Sequence, residues 1–160
     1  MTNGETAYIG IDPGMSKQNP GAAALLVDDG FVAFYDWHDP NSAADVMRLW
    51  GDQYKILGIT IEKVWARPGE GHTSKLLENF GFWQGVARII CRPDLYKPKE
   101  WQQIIPNHFK GKAKEKSIAA AKFYFPEIKP LIYLKKHAGR ADALLICEYG
   151  KRMNRFKKGV

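Results

Sequence analysis

The sequence predicts an α/β fold, with a mixed five-stranded sheet flanked by helices on both faces. Three apolar runs precede the first helical pattern, and Asp28-Asp29-Gly30 between the second and third runs has the composition of a hairpin turn. The rest of the chain alternates helical and strand-like segments, which is typical of such a sheet. With 160 residues, 45% of them hydrophobic, the chain can bury one core. We assign residues 1–160 to one domain that ends in a basic tail at 154–160.

Five apolar runs give the predicted strands, at residues 6–11, 22–27, 31–37, 56–62 and 93–97. The fourth run is apolar on both faces, as expected for a central parallel strand. Apolar residues spaced three to four apart predict helices at 42–54, 74–90, 98–105, 114–125 and 140–154. Ser42 and Asp45 indicate a capped start for the first helix. In the second helix, Gly81 and Gly85 would allow a neighbour to approach closely.

Several classes of protein are excluded by composition. No apolar run approaches the ~20 residues that a membrane span needs, and the N-terminus lacks the basic and apolar regions of a secretory signal. Cys91 and Cys147 lie in apolar surroundings without paired ligand spacing, which predicts buried free thiols rather than a disulfide or a zinc site. We expect a cytoplasmic protein with no membrane partner.

The net charge of +7 is unevenly distributed along the chain. Residues 110–160 hold 14 Lys and Arg against 4 Asp and Glu, whereas residues 1–109 hold 10 against 13. A basic half beside a carboxylate-bearing half is suited to a polyanion bound over a metal site. The alternative is a generally basic, solvated surface.

Asp12, Glu62 and Asp142 are isolated carboxylates, each at the end or start of an apolar run. An ionised carboxylate in apolar surroundings is costly unless something compensates it. If the first and fourth strands are neighbours, Asp12 and Glu62 face one another, and Asp142 joins them from the buried face of the last helix. Three such acids would form an oxygen site for Mg²⁺ or Mn²⁺. Two divalent ions about 4 Å apart can hydrolyse a phosphodiester.

Each acid also has a purely structural interpretation. Asp12 would form the turn that follows its strand. Glu62 would form an ion pair with Lys63 or Arg67. Asp142 would be an acid in the first turn of its helix, where the helix dipole favours it.

Four blocks of sequence resemble the RuvC-type Holliday junction resolvases, most closely the small members carried by bacteriophages. In chain order they are Ile9–Gly14, Ile59–Glu62, Lys112–Ser117 and Gly139–Ile146. The resemblance implies a ribonuclease H-like fold, a homodimer, and nicking of two strands of a four-way DNA junction. It further implies two Mg²⁺ ions in each active site, replaceable by Mn²⁺, and a host bacterial cytoplasm if a phage encodes the chain.

By this resemblance Asp12, Glu62 and Asp142 would be catalytic metal ligands. The family usually supplies a fourth ligand three residues before the last aspartate, where this chain has Gly139. His137 is the nearest substitute, and its alternative role is that of a surface histidine in a basic loop.

Lys110, Lys112, Lys114 and Lys116 resemble the lysine-bearing DNA-binding region of the family. Such cations contact phosphates and position a duplex without reading its bases. One of them, preferably Lys116 or Lys114, would also stabilise the charge of the pentacovalent transition state. The alternative is a solvated helix start.

Trp65 stands where the family places an aromatic side chain that inserts at the junction crossover. It would stack on an unpaired base, or else cover the core as a hydrophobic lid. Arg67 and His72 would contact the DNA backbone from the same loop, and Arg140 would contact DNA from the last block.

The helix at 74–90 predicts a homodimer, because Phe80, Phe82 and Trp83 cover more than one of its faces. One face can pack on the sheet and leave apolar area for a second copy. The alternative is a helix buried within its own monomer.

These observations lead to one principal hypothesis and two rivals. The principal hypothesis is a metal-dependent endodeoxyribonuclease that resolves Holliday junctions or other branched DNA by paired nicks. The rivals are a non-catalytic protein that binds branched DNA, which Gly139 favours, and a ribonuclease acting on RNA–DNA hybrids.

Overall fold

The computed structural model describes residues 4–14, 19–65, 69 and 73–159. Their five strands form one sheet, in the order β3-β2-β1-β4-β5. The strands are β1 (Thr6–Asp12), β2 (Ala22–Val27), β3 (Val32–Asp36), β4 (Lys55–Glu62) and β5 (Asp94–Tyr96). The first three are antiparallel neighbours, whereas β4 and β5 run parallel to β1. The predicted mixed sheet and its hairpin are confirmed.

The described residues form five α-helices, with bounds close to those predicted. They are α1 (Pro40–Gln53), α2 (Thr73–Ile90), α3 (Pro98–Trp101), α4 (Ala113–Tyr124) and α5 (Ala138–Lys157). A 3-10 turn, Gln102–Ile104, completes the helical segment predicted from residue 98. Because α5 continues to Lys157, most of the predicted basic tail belongs to this helix. No described helix has the length and apolar character required to cross a membrane.

The predicted start of α1 was too late by two residues. Asp39 is the N-cap, since its carboxylate accepts a 2.9 Å hydrogen bond from the backbone N–H of Ser42. Pro40 follows as the first helical residue, where its missing N–H is no loss. Ser42 is therefore the residue whose backbone N–H is capped, and Asp39 is the residue that caps the helix.

Helices cover both faces of the sheet, as predicted, and two hydrophobic cores result. On one face α1 and α2 bury Met47, Trp50 and Trp83 against alternate side chains of β1, β2 and β4. On the other face α3, α4 and α5 pack against the remaining side chains, with Trp101 and Leu144 at its centre. This second face carries the candidate site.

Two glycines bring α5 into direct contact with the sheet. A Cβ built on Gly10 of β1 would overlap the backbone of α5 at Ala143 and Cys147. A Cβ on Gly150 of α5 would overlap the side chain of Thr60 in β4. Since neither position has room for a side chain, α5 lies directly against β1 and β4.

The other predictions about small residues and thiols gave mixed results. Gly81 and Gly85 do not support a close approach within this chain, because a Cβ on either would meet nothing within 4 Å. Cys91 and Cys147 are free thiols, as predicted, but only Cys147 is fully buried, whereas Cys91 is partly exposed.

Candidate carboxylate centre and nucleic-acid surface

Asp12 and Glu62 close two neighbouring parallel strands, β1 and β4. Ile11 pairs with Ile61 in the strand register. Asp12 and Glu62 each follow one residue later, so they lie at the ends of two neighbouring strands, which are about 4.8 Å apart. Successive side chains in a strand point to opposite faces. Because Ile11 and Ile61 belong to the core under α1 and α2, both acids lie on the face covered by α5.

Asp142 joins this face from the second turn of α5. No acid lies in the first turn of that helix, so interaction with the helix dipole does not account for Asp142. The side chain of Ser117 in α4 interacts with the carboxylate of Asp142 and lowers its pKa. The Oδ1 atom of Asp142 is buried and has no hydrogen-bond partner among the described residues.

Burial is the main cause of the raised pKa values of the three carboxylates, and neighbouring negative charge adds to it at Glu62 and Asp142. Burial raises the pKa of Asp12 to about 6. Burial, reinforced by the charge of Asp12, raises the pKa of Glu62 to about 7. The pKa of Asp142 lies well above its usual range because of burial and the charges of Asp12 and Glu62. Folding has therefore brought together the three acids that the sequence singled out.

Backbone and indole donors orient two of these acids. The backbone N–H of Gly14 donates a 3.0 Å hydrogen bond to Oδ1 of Asp12, so Asp12 forms the expected turn while its carboxylate also reaches the site. The indole Nε1 of Trp101 donates a 2.7 Å bond to Oε2 of Glu62. Sequence reasoning missed Trp101 and Ser117. The one available signal was general: a buried indole N–H usually finds an acceptor.

The donor set fits a hard divalent cation. Carboxylate oxygens are the ligands that Mg²⁺ and Mn²⁺ prefer, and the unpartnered Oδ1 of Asp142 is an oxygen that a cation would satisfy. Among the described residues, no three His, Cys, Asp or Glu side chains already form a closed cluster of metal ligands.

The lysine segment lies at the start of α4, beside the carboxylates. The positive charge of Lys114 lowers the pKa of both Asp12 and Asp142. Lys116, the residue first preferred as catalytic, instead lines a pocket next to Ser117. Lys110 and Lys112 are exposed, and no lysine of this segment forms a salt bridge within the described part of the chain.

His137 is buried, and its Nδ1 is already engaged by the backbone. Its Nδ1 accepts hydrogen bonds from the backbone N–H groups of Tyr133 (3.3 Å) and Leu134 (3.2 Å). In a neutral imidazole the other nitrogen then carries the proton and has no lone pair for a metal. Burial and the charges of Arg140 and Lys136 lower the pKa of His137, which favours this neutral form. The structure does not bring His137 to the acids as a fourth ligand.

Arg140 is engaged within the protein. Its guanidinium donates to the Asp36 carboxylate through Nε (2.8 Å) and Nη2 (2.6 Å), and to the carbonyl oxygen of Leu131 through Nη1 (2.8 Å). These bonds fasten the start of α5 to β3. Because all three guanidinium nitrogens of Arg140 take part in these bonds, few of its N–H groups remain for the predicted DNA contact.

The remaining predicted DNA contacts lie after β4. Trp65 is 45% exposed and belongs to neither hydrophobic core, so it does not act as a lid. Arg67 and His72 lie outside the described residues.

Ion pairs explain part of the uneven charge distribution. Several basic side chains of α5 form ion pairs with acids of residues 1–109: Lys151 and Arg155 with Asp28, and Lys157 with Asp94. These pairs partly neutralise α5. The lysines before and within α4 therefore provide the more available positive charge.

Comparison with known proteins identifies the fold. No protein-family model and no curated protein matches this sequence. The chain is similar to the solved structure of Thermus thermophilus RuvC in complex with a Holliday junction substrate, with a TM-score of 0.60, 14% identity and 96% of each chain covered. A second Thermus thermophilus RuvC structure gives a TM-score of 0.57 and 15% identity over the same share of each chain. The RuvC-type, ribonuclease H-like fold is confirmed, while the likeness to phage-encoded members stays a prediction.

Proposed function

We propose that this chain is a metal-dependent, structure-selective endodeoxyribonuclease that resolves four-way or other branched DNA junctions by paired nicks. One observation carries the proposal: three distant acids, Asp12, Glu62 and Asp142, converge on one buried face, where burial raises all three pKa values and the charge of Asp12 raises those of Glu62 and Asp142 further. Their fold is that of a protein solved on a Holliday junction. Buried acids that share a site are typical of functional centres.

The three carboxylates would hold Mg²⁺, or Mn²⁺ in its place, as two ions in each active site. Bound cations of this kind supply an activated water and stabilise the charge on the leaving oxygen. Trp101 keeps one oxygen of Glu62 engaged and so directs the other toward the site. Ser117 lowers the pKa of Asp142 and so favours its ionised form. Lys114 adds positive charge beside the carboxylates, where the phosphodiester would carry negative charge.

The DNA would be positioned by phosphate contacts from the exposed Lys110, Lys112 and Lys114, with Lys116 beside them. Each such contact releases counterions, so binding should weaken steeply with salt. Trp65 is exposed next to the end of β4. It would stack on a base left unpaired at the junction crossover, a contact worth ~1–3 kcal/mol.

A homodimer would use the outer face of α2. Leu77, Gly81, Gly85 and Ile89 form a row spaced four residues apart, and all four are exposed. A Cβ on either glycine meets nothing within 4 Å, so another helix can approach this row closely. Two-fold symmetry in the protein would match the near-symmetry of a four-way junction and deliver two nicks.

The direct test compares wild type with Asp12→Asn on labelled four-way junctions. In Mg²⁺ the wild type should produce symmetric nicks and the variant none, while both should bind junctions in Ca²⁺. Asp52→Asn, an exposed acid on α1, is the matched control and should cleave normally. Cleavage retained by Asp12→Asn would remove Asp12 from the mechanism.

The same assay separates the rival functions. A wild type that binds junctions but nicks none in Mg²⁺ or Mn²⁺ would be a non-catalytic binding protein. Faster digestion of an RNA–DNA hybrid than of a junction would identify a ribonuclease.

A further inference from the structure

A pocket of about 320 Å³ adjoins the carboxylate face. It lies between the 3-10 turn that follows α3 and the start of α4. Among the side chains on its wall are Gln102, Asn107, Phe109, Lys116 and Ser117. Its volume is within the range of sites that hold small organic groups.

Ser117 connects this pocket to the carboxylates. It is buried, lines the pocket and interacts with the carboxylate of Asp142. A group bound in the pocket would therefore be separated from Asp142 by a single side chain. If a phosphodiester lies at the carboxylates, the groups closest to this pocket are the nucleotides on either side of it.

The chemistry of the wall suits a nucleobase. Gln102 and Asn107 are exposed amides, and neither makes a side-chain hydrogen bond within the described part of the chain. An amide side chain offers both donors and an acceptor, as the edge of a base does. Phe109 supplies an aromatic surface, and Lys116 supplies a cation for the adjoining phosphate. No acidic residue lines the pocket, so nothing in it repels a polyanion.

We propose that this pocket binds an unstacked nucleobase of the DNA strand that is cut, and that Gln102 and Asn107 read its edge. The inference rests on the proposed function, because it places the phosphate of that strand at Asp12, Glu62 and Asp142. Extruding a base is least costly where pairing is already disturbed, as at a junction crossover. The pocket thus sets a base preference next to the cut.

The test uses a library of four-way junctions randomised at the positions flanking the crossover, with every cut site sequenced. Wild type should prefer one base at one position by about tenfold or more, the discrimination expected of a good amide–base pair. Gln102→Ala and Asn107→Ala should each reduce this preference severalfold without loss of junction binding in Ca²⁺. Gln103→Ala, an exposed neighbour that does not line the pocket, is the control and should retain it.

A second measurement uses junctions with an abasic nucleotide at the preferred position. The abasic substitution should slow wild-type cleavage, yet have little further effect on Asn107→Ala, because the contact is already lost there. Thermal unfolding of each variant would show whether it is folded.

Preference unchanged in both alanine variants, or no base preference in wild type, would overturn the pocket assignment while leaving the nuclease intact. If wild type cleaves no junction, the proposed function fails instead. Selecting bound junctions from the same library in Ca²⁺ then tests the pocket, and equal base enrichment by wild type and Asn107→Ala would overturn it.

Discussion

The indole N–H of Trp101 donates a 2.7 Å hydrogen bond to Oε2 of Glu62, linking two residues 39 positions apart. Trp101 is almost completely buried, so water does not compete for this donor. The bond occupies one carboxylate oxygen of Glu62 and leaves the other available. Partners of this kind orient metal ligands and influence metal affinity strongly.

Trp101→Phe should weaken metal binding while preserving the aromatic packing of α3. The variant loses the donor that orients Glu62, and losses at such positions are about 10- to 100-fold in affinity. Calorimetric titration with Mn²⁺ measures the effect. Trp50→Phe, which changes a buried tryptophan in the opposite core, is the control. Equal Mn²⁺ affinity in the two variants would contradict a positioning role for Trp101.

Glu62→Gln should stabilise the metal-free protein at high pH. An acid with a raised folded-state pKa binds its proton more tightly in the folded chain, so wild type loses stability as the pH rises from about 4.5 to about 7. Glutamine cannot ionise but can still accept the bond from Trp101. The variant's advantage in unfolding free energy should grow by on the order of 1–3 kcal/mol between about pH 5 and pH 8.

Chemical denaturation in EDTA at several pH values measures this change. Glu127→Gln, an exposed acid, is the control and should follow the wild type. Adding Mg²⁺ should raise the stability of wild type more than that of Glu62→Gln, because only wild type has all three carboxylate ligands. A difference that is constant with pH would argue against a raised pKa at Glu62.

Lys114→Ala should shift the pH dependence of junction cleavage to higher pH. Without this charge the pKa values of Asp12 and Asp142 rise further, so their carboxylates ionise only at a higher pH. Single-turnover cleavage across a pH series measures the shift. If Lys114 also contacts a phosphate, the slope of log binding constant against log salt should fall by about one. Lys129→Ala, at an exposed position, should change neither quantity.

Ile89→Glu should convert a dimer into a monomer. The side chain is 84% exposed on the outer face of α2, and two buried glutamates would face each other across a symmetric interface. Light scattering coupled to gel filtration measures the mass. Phe31→Glu, which is also exposed but lies at the β2–β3 hairpin, should leave the mass unchanged. A wild type that is monomeric at all concentrations would rule out the dimer.

The fold was predictable because its signals are local. The apolar runs that Asp12 and Glu62 terminate became β1 and β4, and β2 was predicted at its observed bounds. The start of α1 was missed because Asp39, the cap, precedes a proline that was not recognised as the first helical residue. The site hypothesis required only that the first and fourth strands be neighbours, and the pairing of β1 with β4 meets that condition.

The candidate site was only partly predictable. Isolated carboxylates in apolar runs are visible in a sequence, since their burial is costly. The partners of these acids are not visible, because Trp101 and Ser117 reach them only through tertiary packing. Arg140 was predicted to contact DNA but forms an ion pair within the protein. Its partner Asp36 lies 104 positions away in the chain, so nothing in the neighbouring sequence indicated this pair.

The contacts at Gly10 and Gly150 affect how any map of mutational tolerance in this protein should be interpreted. Replacing either residue would force α5 away from the sheet and separate Asp142 from its two fellow acids. In a saturation screen both positions would therefore score as severely as the three acids, although neither belongs to the carboxylate centre. Only a structural probe of helix displacement would distinguish the two classes of defect.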